Sequence, residues 1–168
     1  MKRKSICLIG FMGSGKSTLA KLLASKLLIP FFDTDAEIEK REKDSIHEIF
    51  LGRGENAFRE IEAQVLKAIF DKNKKEVFVL ATGGGTLERD ENKKIILENF
   101  KSIYLKTSFS EIKKRILNQK TYHRFLWHED SDQALFNKRQ SLYREAHHIV
   151  VTDSKTPEQV AHEIIKIF

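Results

Sequence analysis

The sequence predicts an α/β fold: a five-stranded parallel sheet between two helical layers, a three-layer α/β/α arrangement. Three observations carry this. Short apolar runs recur along the chain with helical stretches between them, and parallel strands need crossover connections of that kind. The runs are short and apolar, as strands covered on both faces are. A glycine-rich stretch joins the first run to the first helix, the place where open α/β sheets bind ligands.

The elements follow in order. SICLIG, with Ile6, Leu8 and Ile9, reads as a buried strand, and KSTLAKLLASKLL (16–28) sets Leu19, Leu22, Leu23 and Leu27 on one helical face. Pro30 opens PFFD, a second short strand. SIHEIF begins with a capping box, Glu48 standing three residues after Ser45. Residues 56–70 form an amphipathic helix carrying Phe58, Ile61, Val65, Leu66 and Ile69. VFVLA (77–81) is the strongest strand signal, and SIYL (102–105) and HIVVT (148–152) are two more. The last helix starts at Thr156, with Pro157 at its first position and Gln159 closing a second box. Only 118–131, NQKTYHRFLWHEDS, lacks a steady period; it reads as a surface loop or a mobile lid.

The 168 residues suit a single domain, 1–168, with a real core. The net charge of +6 comes from interspersed acids and bases, which suits anionic small molecules, and no nucleic-acid signature accompanies it. Cys7, the sole cysteine, cannot form an internal disulfide and reads as a small buried strand residue, in keeping with a reducing, cytoplasmic setting. The start MKRKSICLIGFMG superficially resembles a signal peptide, yet its short apolar part runs into the glycine loop without a small-residue cleavage site. No segment is long enough to span a membrane.

GFMGSGKST (10–18) fits G-x-x-x-x-G-K-[ST] through Gly10, Gly15, Lys16 and Ser17. Such a loop turns backbone N–H groups toward phosphates, the following helix adds its dipole, the lysine reaches the outer phosphates and the hydroxyl ligates Mg2+. Gly13, Ser14, Gly15, Lys16, Ser17 and Thr18 are therefore the expected nucleoside-triphosphate-binding set. The D-x-x-G and N-K-x-D signals of a guanine switch are missing. The third strand ends in Ala81, Thr82 and three glycines instead of an acid, which leaves bare N–H groups at its carboxyl end. Acids come instead from FFDTD. Asp33 would sit near magnesium and Asp35 would hold an acceptor hydroxyl and take its proton. Separated only by Thr34, both face one side if the chain stays extended. One of them can also cap the helix beginning AEIEK.

GFMGSGKST, FFDTDAEIEKR, SIHEIFLGRGENAFREIE, ATGGG, HRFL and RQSLYREA, in that order, resemble the shikimate kinase family over nearly the whole chain. The resemblance implies a P-loop kinase of the nucleoside-monophosphate-kinase type, with substrate-binding helices at about 33–62, a lid at about 118–131 and phosphoryl transfer from ATP to shikimate. It implies that Asp35, Arg59, Gly84 and Arg139 bind shikimate, with Arg124 as a lid arginine touching both nucleotide and reacting phosphate. Lys16, Asp35 and Arg124 would then be the catalytic set, Ser17 and Asp33 the magnesium ligands, and the protein a monomer. Two arginines can clamp a carboxylate in a bidentate way that lysine cannot. Phe125 and Ser141 stand where the family usually has proline, which could loosen those turns, and His123, Trp127 and His128 read as lid packing. Arg115 and Lys155 lie where the family contacts adenine. A kinase for gluconate or a nucleoside monophosphate, a non-catalytic nucleotide-binding module and a basic nucleic-acid binder are the competing readings.

Overall fold

The computed structural model describes residues 4–118 and 128–168. Five parallel strands, β1 (Ser5–Ile9), β2 (Phe31–Asp33), β3 (Val79–Ala81), β4 (Phe100–Lys106) and β5 (His148–Val151), form one sheet of order β2-β3-β1-β4-β5. β1 is central, with Leu8 opposite Ala81 on one side and Ile103 on the other. The chain builds outward from it in both directions. That makes the carboxyl end of β1 the switch point, where a crevice opens between diverging connections.

Side chains alternate across the sheet and create two cores. Ile6, Leu8, Val79, Ala81, Ile103, Leu105 and Val150 face α1 (Lys16–Leu27) and α7 (Pro157–Ile167). Cys7, Ile9, Phe78, Leu80 and Tyr104 face the other way, toward α2 (Thr34–Glu42), α3 (Ile46–Asn73), α4 (Asp90–Asn99), α5 (Phe109–Asn118) and α6 (Glu129–Tyr143). All five β1 residues are buried, the reason its sequence is a continuous apolar run. Burial also pushes the Cys7 thiol pKa up, so it packs as an inert small residue.

Local signals fix most boundaries. Both capping boxes form, Ser45 with Glu48 and Thr156 with Gln159. β4 begins at Phe100, directly after α4, two residues earlier than the SIYL pattern indicates, because Phe100 is itself buried in the core. The segment expected as a lid at 118–131 is helical at both margins: Asn118 ends α5 and Glu129 opens α6. His128 is the exposed N-cap of α6. Ser141 lies inside α6, so the position where the family has proline is helix and not a turn to be loosened. His123, Arg124, Phe125 and Trp127 lie outside the described residues.

The helix expected from residue 56 continues from the one capped at Ser45, with Gly54 as a break between them (φ 80°, ψ 170°). That conformation is almost confined to glycine. Nothing lies within 4 Å of a Cβ built at either Gly52 or Gly54, so the two positions differ only in backbone. Gly54→Ala should therefore destabilise the fold by about 1–3 kcal/mol. Gly52→Ala, in ordinary helical geometry, should stabilise it by about 0.5–1 kcal/mol. Urea unfolding of the two variants checks this, and shifts of the same sign would show that Gly54 does not need its dihedrals.

Candidate active site

The loop between β1 and α1 forms the floor of a cleft of about 540 Å³ at the carboxyl end of the sheet. Gly15 is the N-cap of α1 in the left-handed region, with φ 95°, and no side chain caps that end. The first-turn N–H groups of α1 thus lack a side-chain acceptor and point into the cleft with the positive end of the helix dipole. Gly13, Ser14, Gly15, Lys16, Ser17 and Thr18 all line it.

Lys16 is buried, its ammonium donating to the carbonyls of Gly10 at 2.8 Å and Phe11 at 2.9 Å. Burial lowers its pKa to about 8; the nearby Asp35 and Asp33 charges resist the shift, and Arg139 adds to it. Asp35 moves the opposite way, up to about 7. Its cause is first burial, then repulsion from Asp33, with the Lys16 charge opposing.

The two aspartates do not share a face of an extended strand, as their spacing predicts. α2 starts at Thr34, and Asp33 is its N-cap: Oδ1 accepts from Asp35 N–H at 3.0 Å, while Oδ2 accepts from the Ser17 hydroxyl. Capping wins because a helix start supplies orphan N–H donors that an adjacent carboxylate satisfies. Asp33 thereby lies against Ser17, and Asp35, the second residue of the helix, lines the cleft.

The glycines after β3 work by close approach. A Cβ at Gly83 would stand 2.8 Å from Glu62 Oε1 and 2.9 Å from Asp35 Oδ1, and one at Gly85 would collide with the Arg59 guanidinium. The expectation of three bare N–H groups needs correction: Gly83 N–H donates to Thr34 Oγ1 at 2.9 Å, because β2 and β3 are neighbours and Thr34 follows β2 directly. No described residue accepts from Gly84 N–H. Gly84 lines the cleft, and its carbonyl accepts from the Tyr143 hydroxyl at 2.5 Å.

Arg59 and Arg139 meet beside these glycines. Arg59 Nη1 donates to buried Glu62 at 3.1 Å, and Glu62 also accepts from the Thr86 hydroxyl at 2.6 Å. Arg139, only 6% exposed, packs its guanidinium over Phe11 with Nη1 near Gly84. Both arginines also contact Glu88, a residue that sequence reasoning did not single out. Thr34, Thr86 and Tyr143 were likewise missed. Thr34 and Tyr143 left a trace, inside the FFDTDAEIEKR and RQSLYREA stretches.

Arg115 and Lys155 line the far part of the same cleft. Arg115 is braced by Glu111 and donates to the carbonyls of Ser14 and Thr152. Lys155 pairs with Glu163. Among the described residues no helix is long and apolar enough to cross a membrane, and no group of three or more His, Cys, Asp or Glu side chains could hold a metal by itself.

A phosphate-binding loop closing the central strand of a five-stranded parallel sheet, with acids and arginines gathered beyond it, defines a P-loop kinase. The family model described as shikimate kinase matches residues 12–168. The chain is 42% identical over 166 residues to the shikimate kinase of Thermodesulfovibrio yellowstonii, covering 97% of this chain and 94% of that protein. It is 38% identical over 168 residues to that of Dictyoglomus turgidum, covering 98% and 96%. The structure of shikimate kinase from Acinetobacter baumannii in complex with shikimate superposes with a TM-score of 0.88 at 32% identity, over 99% of this chain and 93% of that one. Deoxyadenosine kinase from M. mycoides, at 17% identity and a TM-score of 0.64 over 98% of this chain and 99% of that one, shares the fold alone. This chain belongs to the shikimate kinase family.

The elevated Asp35 pKa has a sign in stability. A carboxyl raised from 3.8 to about 7 on folding contributes most below pH 3.8. That contribution is lost as pH rises through 7, because the unfolded chain ionises first. Asp35→Asn should therefore be more stable than the parent protein at pH 8 by at least about 1 kcal/mol, with the advantage shrinking toward pH 4. Thermal melts across that range in chelator, without nucleotide, test it; a pH-independent difference would be inconsistent with a strongly raised Asp35.

Proposed function

We propose that this protein is a single-domain, monomeric kinase that transfers the γ-phosphoryl group of ATP to the 3-hydroxyl of shikimate, giving shikimate 3-phosphate and ADP. The observation that carries the reading is the meeting, at one end of the sheet, of the phosphate loop and Asp35 in one cleft with Arg139 beside Gly84 and Arg59 beside Gly85. Family membership supplies the acceptor.

The reaction needs positioning and charge stabilisation more than covalent chemistry. The N–H groups of Gly13 to Thr18 cradle the phosphates of ATP, and Lys16 stabilises charge on the transferring group. Arg115 and Lys155 flank the adenine end of the cleft. Ser17 and Asp33 offer hard oxygen donors in mutual contact, a set that fits Mg2+, which commonly takes one or two protein oxygens and completes its shell with water and phosphate. When bound, that ion neutralises phosphate charge. Asp35 accepts a hydrogen bond from the acceptor hydroxyl and takes its proton, a role suited by a pKa near 7. Arg59, Arg139 and Gly84 N–H hold the acceptor carboxylate. Arg124 is assigned, by the HRFL match alone, to the transferring phosphate.

ADP release from ATP and magnesium, with shikimate, gluconate or nucleoside monophosphates, tests the whole reading. Shikimate-dependent release is expected, and release with a different acceptor would replace the substrate. Lys16→Ala should lower kcat by about 10²–10³-fold or more. Arg139→Ala should raise KM for shikimate about tenfold to a hundredfold, the scale of a charged hydrogen bond, with KM for ATP little changed. Equal effects on both substrates would remove Arg139 from the acceptor site.

A further inference from the structure

Glu88 ends the short 3-10 turn Thr86–Glu88 that follows the three glycines. Its backbone N–H donates to the Gly85 carbonyl at 2.9 Å, and Thr86 N–H donates to the Gly83 carbonyl at 3.3 Å, so the turn and the glycines form one tightly bonded unit. Asn92 donates to the Thr86 carbonyl at 3.1 Å and ties that unit to α4. The Glu88 side chain, 21% exposed, reaches two guanidiniums from separate helices. Arg139 of α6 approaches edge-on, Nε to Oε1 at 3.0 Å and Nη2 to Oε2 at 3.4 Å. Arg59 of α3 brings Nη2 within 3.4 Å of Oε2.

The edge of Arg139 that Glu88 occupies matters. With Nε and Nη2 engaged by Glu88, Nη1 is the nitrogen beside Gly84, 3.5 Å from where its Cβ would be, and Gly84 itself lines the cleft. Arg59 is fixed in the same manner, with Glu62 on Nη1 and Glu88 and Glu55 on Nη2. Two guanidiniums drawn toward one anion repel each other unless a counter-charge lies between them. A planar fork binds a carboxylate well only when its rotation is fixed.

We propose that Glu88 is a positioning residue for acceptor recognition: it bridges Arg59 and Arg139, sets the spacing of the two guanidiniums and turns Arg139 so that Nη1 meets the acceptor carboxylate. This rests on the assignment of Arg59 and Arg139 as the carboxylate clamp. Glu88 touches no reacting atom. Its effect is confined to substrates that carry the carboxylate, so it contributes to selectivity for an acid over an otherwise identical neutral acceptor.

The test is calorimetric titration of the full chain with shikimate and with its methyl ester, which lacks the negative charge. Glu88→Gln keeps the shape and removes the bridge's charge. Its discrimination between acid and ester should fall about tenfold, the scale of one charge-assisted hydrogen bond. Glu88→Asp, with the charge retained and the reach shortened, should fall between Gln and the parent protein, and it keeps the test available if the Gln variant does not fold. Arg139→Ala is titrated alongside. If Arg139→Ala keeps full discrimination, the clamp assignment fails and the role of Glu88 with it. If Arg139→Ala loses discrimination while Glu88→Gln retains it, the clamp stands and Glu88 is not its positioning residue. Tighter binding of shikimate by Glu88→Gln would also overturn the proposal, since Glu88 would then be a competitor for the arginines.

Discussion

Opposite charges are packed against bare backbone at the carboxyl end of β3, and the site depends on that contact. Glu62 and Asp35 press on Gly83, Arg139 lies near Gly84, and Arg59 is against Gly85. Any side chain at Gly83 or Gly85 would push these groups apart. Buried ions are tolerated only when paired and hydrogen-bonded, and here each has partners: Glu62 has Arg59 and Thr86, and Arg139 has Glu88. A network of this kind adds little net stability, since desolvation offsets much of the attraction. Its product is geometry, with two arginines held in fixed places by their carboxylate partners.

The fold delivers each member by a separate device. Asp33 stops β2 and starts α2, which sets Asp35 in the first turn of a helix, lining the cleft. Gly54 interrupts α3, and the segment after it buries Phe58, Glu62, Val65, Leu66 and Ile69 along one face. Glu62 is thus carried inward by the same stripe that packs the core, and Arg59, three residues earlier, follows it. Tyr143 anchors the end of α6 to the Gly84 carbonyl, which fixes the helix that carries Arg139. Aliphatic packing and site geometry are therefore set by the same elements.

Much of this was readable in the sequence where the signal is local. The phosphate loop and both capping boxes follow from spacing within a few residues, and the structure has them where the patterns fall, while β3 starts two residues later and β4 two residues earlier than their apolar runs. The facing of Asp33 and Asp35 did not follow, because strand alternation assumes an extended chain and the helix begins between them at Thr34. Gly83 N–H was read as bare since its partner, Thr34, is brought up by strand pairing. Glu88 was invisible for a similar reason: its partner Arg139 is 51 residues away, and a glutamate at a turn resembles any solvated acid. Long-range ion pairs leave no periodicity, so they emerge only once the sheet order is known.

The chain's net charge of +6 does not make the acceptor region a simple cationic patch. Around the glycines, Arg59 and Arg139 face Glu62 and Glu88, and Lys16 faces Asp35 and Asp33. In the proposed acceptor site, anion recognition relies on directed hydrogen bonds more than on long-range field. The opposed shifts of Lys16 and Asp35 fit the same picture. Burial dominates both, lowering the ammonium's pKa and raising the carboxyl's, while their mutual attraction opposes each change. Phosphate oxygens beside Lys16 would favour its charged form, and a cation beside Asp33 would favour ionised Asp35. In the proposed reaction, the charges that would return both groups to their ionised forms arrive with the substrates.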